Sequence, residues 1–370
     1  MIKFFWCLAA CLTLSTPPTR ASGLFSPQIN RGLNYLGHGL NVDAIEPGSP
    51  TAYPEANLRR MRAMGLTYVR IPVSVDQIVV GAPHNLSGVA TPAEVAAALT
   101  KLDGLVALFL KNGFAVTLCM FPTPGVQALP APLADPIYLA GDTAIAARYG
   151  HVDANRIFLE VMNEPHMDVN SWNALAPPLA AAARAAAPAN TLIVDAAWNA
   201  IPTNLPFLVP LADPNVIYDM HVYQPALLTT QGSQAPVDRD YLFPRPAGET
   251  GPPGSLIATE WTARKLAAYV FTGIGWARRQ RLPLIMNEFG VSSLCDPRSE
   301  INWLSFMRQI ADDNSVPWAF WGYHHLFPTA LAGQTPDYDP VVFKALGPTP
   351  YQINFGINMT GSAAPYLLTN

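Results

Sequence analysis

Charge is what this sequence has least of. Only 13% of its 370 residues are Asp, Glu, Lys or Arg, and the formal net charge is −4. The sequence has no run of basic residues. A phosphate backbone is held by clustered Lys and Arg, so nucleic acid is excluded as an expected partner. Long apolar runs are missing after the N-terminus. None reaches the ~20 residues that cross a bilayer, so no membrane span is expected there. The chain has no GxSxG elbow and no phosphate-cradling glycine loop. It has no internal repeat and no Pro/Ser linker between modules, so one domain is expected over residues 22–370. Cysteine is scarce too. Of four, Cys7 and Cys11 fall in the first twenty residues, and Cys119 and Cys295 remain. Neither has a second cysteine or a histidine at ligand spacing, so no metal and no cofactor are expected.

Apolar surface is abundant. Half of the residues are hydrophobic, ample for a large core in a single domain. The N-terminus reads as a targeting segment: Lys3, the apolar run from Phe4 to Leu14, two prolines, then Thr19-Arg20-Ala21. The small residues there fit signal-peptidase cleavage near Ala21. Residues 1–21 are therefore expected to be a signal peptide and the protein secreted or periplasmic. Leu8-Ala9-Ala10-Cys11 resembles a lipoprotein box, but the apolar run before it is short for lipidation.

Strand-like and helix-like stretches then alternate. Short apolar runs predict strands at 29–36, 66–72, 114–120, 156–162, 191–195, 216–220, 282–288 and 316–321. Helices are predicted at 54–64, 91–111, 137–149, 172–187, 255–280 and 298–310, with Thr91-Pro92 opening one and Gly65 closing another. Residues 224–254 are a long Gln/Pro/Gly/Ser-rich stretch of the kind that is functional or mobile. Eight strands alternating with helices predict an α/β fold, a (β/α)8 TIM barrel. On such a barrel Cys119 and Cys295 need not be neighbours. Two free, buried thiols are expected, with one disulfide as the alternative.

Two strands end in a glutamate. RIFLEVMNEPH at 156–166 is apolar until Asn163-Glu164-Pro165, where proline stops the ladder. LPLIMNEFG at 282–290 delivers Glu288 in the same way. In parallel α/β folds, strand C-terminal ends are where sites are built. Two carboxylates from two such ends are what glycoside hydrolysis requires: one a protonated acid, the other ionised. Arg70 stands inside the apolar run LTYVRIP, where a charge is costly unless paired, and is expected to aim at a site carboxylate. His221 and Tyr223 follow the sixth run, and Trp318 and Trp321 lie in the eighth.

The ordered set VRIPVS at 69–74, MNEP at 162–165, HVY at 221–223, NEFG at 287–290 and WAFW at 318–321 resembles glycoside hydrolase family 5, the cellulase family. The resemblance covers roughly 29–325. It implies a β-linked polysaccharide or oligosaccharide substrate, a monomer, and a retaining mechanism. Glu164 would be the acid/base, its pKa raised by burial and by the second carboxylate. Glu288 would be the nucleophile, kept ionised by Arg70 and Tyr223. Asn163 would bind the sugar 2-hydroxyl, His221 would support Glu164 or the sugar, and Trp321 would form an apolar floor. Trp318 is expected in the core. The two carboxyl groups should lie about 5–5.5 Å apart. An endo-β-1,4-glucanase is the leading reading. Its rivals are a mannanase or other β-glycanase trimming an exported polysaccharide, and a binding protein without turnover.

One stretch departs from the family. Its third strand usually ends in Asp-x-His, and here Cys119-Met120-Phe121 stands in that place. Phe121 cannot donate the hydrogen bond of that histidine. His38, His84 and His166 are candidates to replace it. His324-His325 looks like a metal pair, but adjacent strand residues face opposite ways. Asn85 and Asn358 match the glycosylation pattern, relevant only in a eukaryotic host. Trp172, Trp198, Trp261, Trp276 and Trp303 could stack sugars, although large aromatics on helices usually sit in the core.

Overall fold

The structure is a computed structural model that describes residues 25, 27–46, 48–244, 261–328, 339–349 and 351–360. The expected signal segment lies outside the described residues, as do 245–254 of the Pro-rich stretch and 255–260 of the helix expected after it.

Eight strands alternate with helices: β1 (His38–Asn41), β2 (Leu66–Ser74), β3 (Ala115–Phe121), β4 (Ile157–Glu160), β5 (Leu192–Asp195), β6 (Val216–Val222), β7 (Leu284–Phe289) and β8 (Trp318–Trp321). Each pairs in parallel with the next, and β8 pairs back onto β1, so the barrel closes. This is the (β/α)8 barrel that the alternation predicts. Its strands are apolar on both faces because one face packs inside the barrel and the other meets the helix layer.

Local chemistry sets the helix boundaries. Pro92–Lys111 opens on a capping box: the Thr91 hydroxyl accepts from the Glu94 amide, and the Glu94 carboxylate accepts from the Thr91 amide. Gly65, at φ 85°, closes Glu55–Ala63 and turns the chain into β2. The helices expected from 137, 172 and 298 begin earlier, at Ala131, Val169 and Pro297. Asp168 and Asp296 cap the last two through their carboxylates. The expected first strand is a correction. Residues 27–35 form a helix, Pro27–Tyr35, and β1 comes after it. Ile29, Leu33 and Leu36 recur at helical spacing and are buried against Tyr68, Phe158, Ile193, Ile217 and Ile285. Those partners stand near the strand starts, so the helix plugs the bottom of the barrel. A short apolar run does not separate helix from strand by periodicity.

The described part of 224–254 is packed at its two ends, with residues 232–240 mostly exposed. It holds a short helix, Ala226–Thr229, and buries Tyr241 and Phe243. Cys119 and Cys295 are free and buried, as expected. Among the described residues no helix is long and apolar enough to cross a membrane.

Candidate active site

Residues of β1, β3, β4 and β7 converge on Arg70, which stands in the middle of β2. This fully buried side chain spends its guanidinium on several strands at once. Nε donates to Glu160 Oε2 at 2.8 Å, and Nη2 donates to Glu160 Oε1, a bidentate pair. Nη1 donates to Glu288 Oε1 at 2.5 Å and to Asn41 Oδ1 at 3.0 Å. Nη2 also reaches Asn163 Oδ1 at 2.7 Å and Cys119 Sγ at 3.0 Å. Burial alone would make Arg70 easier to deprotonate. The negative neighbours Glu160 and Glu288, with Cys119, outweigh it and push its pKa well up.

Two glutamates face one another above this network. Glu288 is almost wholly buried and held at both oxygens, by Arg70 at Oε1 and by the Tyr223 hydroxyl at Oε2, 2.9 Å away. Burial lifts the Glu288 carboxyl above the usual carboxylate range and Glu164 adds to that, against the pull of His221, Arg70 and Tyr223. Glu164 is held differently. It lies four residues past the end of β4, with its backbone at φ 43° and its side chain 29% exposed. Its Oε1 lies 2.8 Å from His221 Nδ1. One ligand-type atom from each of Glu164, His221 and Glu288 lies within 4.8 Å of the others.

The remaining predicted residues gather here too. Asn163 has its carbonyl oxygen fixed by Arg70, and its backbone N–H donates to the Met120 carbonyl at 2.8 Å. Trp321 is 39% exposed, its ring 17° from parallel to Phe121 with centroids 6.2 Å apart. The Arg70 guanidinium stands 5.5 Å from the centre of the Phe121 ring. Gly290, just past Glu288, is required by a close approach: a Cβ there would lie 2.6 Å from the Trp321 carbonyl oxygen.

Other candidates separate by position. Trp318 is buried, stacked on His38 and bonded to Asp312, so both belong to the lower barrel. His84 pairs with Asp76, His324 with Asp43 and His325 with Glu300. Trp172, Trp276 and Trp303 are core, and Trp261 packs against Tyr269 and Lys265. Trp198 is different. It is exposed beside the Glu164 strand exit, its ring stacked on His166 at 4.9 Å and its backbone N–H donating to the Pro165 carbonyl.

Sequence reasoning missed Glu160, Asn41, Asn287, Asp195 and Asp219. Asn287 donates to Glu160 Oε2 at 3.1 Å and accepts from the Tyr68 hydroxyl at 3.0 Å. The two aspartates are fully buried. Glu160 carried a readable signal, a charge within an apolar run, the same signal that singled out Arg70. Glu160, Asp195, Asp219 and His221 also bring oxygen and nitrogen atoms within 4.8 Å. The bonds these carboxylates accept come from guanidinium, thiol, side-chain amide and backbone N–H donors, which is the pattern of a hydrogen-bonded network rather than a cation cage.

Comparison with known proteins agrees with this geometry. The cellulase (glycosyl hydrolase family 5) model matches residues 47–325. Endoglucanase 3 of Fibrobacter succinogenes is 30% identical over 210 residues, 48% of this chain and 31% of that protein. The chain thus spans under a third of that relative's length. Cellodextrinase A of Ruminococcus flavefaciens is 20% identical over 308 residues, 79% of this chain and 85% of that one. Endoglucanase Cel5A of Thermotoga maritima superposes with a TM-score of 0.71 at 21% identity, covering 86% of this chain and 99% of that one. It has also been described with cellobiose and with mannotriose bound. At that identity the superposition shows the fold.

Proposed function

The chain belongs to glycosyl hydrolase family 5, and from that premise we propose that it is a secreted, retaining endo-β-1,4-glucanase. The observation that carries this reading is the unequal holding of two close glutamates. Glu288 has both oxygens fixed by Arg70 and Tyr223, which suits a nucleophile that must not rotate. Glu164 is partly exposed and bonded only through one oxygen to His221, which suits a group that trades a proton with a leaving group and then with water. Oxygens within 4.8 Å fit a retaining pair rather than the ~6.5–9.5 Å of an inverting one.

In the first step Glu288 attacks the anomeric carbon. The glycosidic bond breaks as Glu164 gives its proton to the departing oxygen, leaving a glycosyl ester on Glu288. In the second step Glu164 takes a proton from water, the water oxygen attacks the same carbon, and Glu288 leaves as carboxylate. Asn163, its carbonyl end held by Arg70, has its NH₂ end to offer the sugar 2-hydroxyl. The exposed Trp321 ring suits the apolar face of a pyranose.

A mannan-cleaving reading is favoured by one feature. Phe121 offers no hydrogen-bond donor where related enzymes place a histidine, and the Thermotoga maritima relative has been described with mannotriose. Reducing-end release from soluble β-1,4-glucans and mannans separates the two. Release from glucan that disappears in Glu288→Ala supports the proposal. Release from mannan alone replaces it with the second reading, and binding without release removes both. N-terminal sequencing of the exported protein, with cleavage near Ala21, tests secretion.

A further inference from the structure

Two buried aspartates beneath the glutamates share a geometry. Asp195 ends β5 and Asp219 stands opposite it on β6, their Cα atoms paired in the ladder. The Glu164 N–H donates to Asp195 Oδ2 at 2.8 Å. The Asn287 N–H, beside Glu288, donates to Asp219 Oδ1 at 2.9 Å. Both amides belong to backbone that has left regular pairing. Glu164 lies past the end of β4 at positive φ, and β7 slips register against β6 between Ile285 and Glu288 and against β8 between Met286 and Phe289. A buried amide without a partner is costly, so a side chain takes over where the ladder stops. Behind both glutamates, His221 Nε2 lies 3.8 Å from Asp195 Oδ2 and 3.6 Å from Asp219 Oδ2.

We propose that Asp195 and Asp219 are positioning residues: each replaces a lost backbone bond at a strand exit that delivers one glutamate, and together they back His221 against Glu164. This rests on the assignment of Glu164 as acid/base and Glu288 as nucleophile. The charged or titratable groups facing His221 are Glu160 and Glu164 from the β4 side, Asp195 from β5, Asp219 from its own strand and Glu288 from β7, and Arg70 and Tyr223 both bond Glu288. Asp219 is the one beside Nε2 on the same strand. Removing its charge weakens the imidazolium, so the ring gives up its proton at lower pH and Nδ1, 2.8 Å from Glu164, loses its charge.

The test compares Ala and Asn at both positions, because an amide oxygen still accepts from a backbone N–H. Asp195→Ala and Asp219→Ala are expected to lose kcat by about 30- to 100-fold with KM nearly unchanged. The Asn variants should recover about tenfold of that loss. Asp219→Asn should also move the basic limb of kcat/KM down by about half a pH unit or more, as His221 loses its proton at lower pH. Thermal melts accompany each variant. If an Ala variant does not fold, the Asn variants and their pH profiles decide. Equal losses in Ala and Asn with an unmoved limb overturn the positioning role. Full activity in Glu164→Gln overturns the assignment beneath it, whereas an inactive Glu164→Gln beside an unimpaired Asp195→Ala overturns only the positioning role.

Discussion

His221 Nδ1 lies 2.8 Å from Glu164 Oε1, while its Nε2 makes no hydrogen bond among the described residues. One ring nitrogen is spent on the glutamate that, in the proposed mechanism, changes its proton twice per turnover. Burial would favour the neutral ring, but Glu288, Asp219 and Glu164 raise the His221 pKa well above its usual value. These acidic neighbours favour the charged ring, in which Nδ1–H donates to Glu164.

Replacing His221 by alanine removes that donor. Loss in kcat/KM on polysaccharide should be about 10²- to 10³-fold. On an aryl glycoside with a good leaving group, which needs little acid assistance, the loss should be clearly smaller. Equal losses on both substrates would place His221 in sugar binding instead.

Arg70→Lys keeps the charge and loses the fork. Lysine cannot hold Glu160 at both oxygens and reach Glu288 as well. Glu160 is fully buried, so an unpaired charge results. Urea unfolding should show destabilisation of about 3–5 kcal/mol. A loss under about 1 kcal/mol would mean that the network carries little of the fold's stability.

The acid limb of activity should report Glu288. Its folded pKa is raised, with burial the first cause, so it takes up its proton at higher pH than a free glutamate as pH falls. The nucleophile is then lost early, and the acid limb of kcat/KM should lie above about 4.3. Tyr223→Phe removes a hydrogen bond that favours the charged form, so the limb should move up again. An unmoved limb would remove Tyr223 from the control of Glu288.

The barrel and the two glutamates were legible because each depends on short-range pattern: an apolar run, a stop, a carboxylate. Arg70 was legible because a lone charge in an apolar strand demands a partner. The identity of that partner was not, since Glu160 lies 90 positions away and only barrel closure brings β2 and β4 under one site. Asp195 and Asp219 read as ordinary strand acids because their roles depend on irregularities in other strands. Ile29 to Leu36 misled for the opposite reason. Its pattern fits two conformations, and only the open floor of the barrel selects the helix.

That floor gives the molecule an order in time. The plug helix Pro27–Tyr35 leaves the ribosome before any of the eight strands, yet the ring it seals closes only when β8, from Trp318, pairs with β1. Through most of synthesis Ile29, Leu33 and Leu36 have no completed ring to enter. Their greasy face waits until β8 has emerged, so a helix made before every strand finds its place after them.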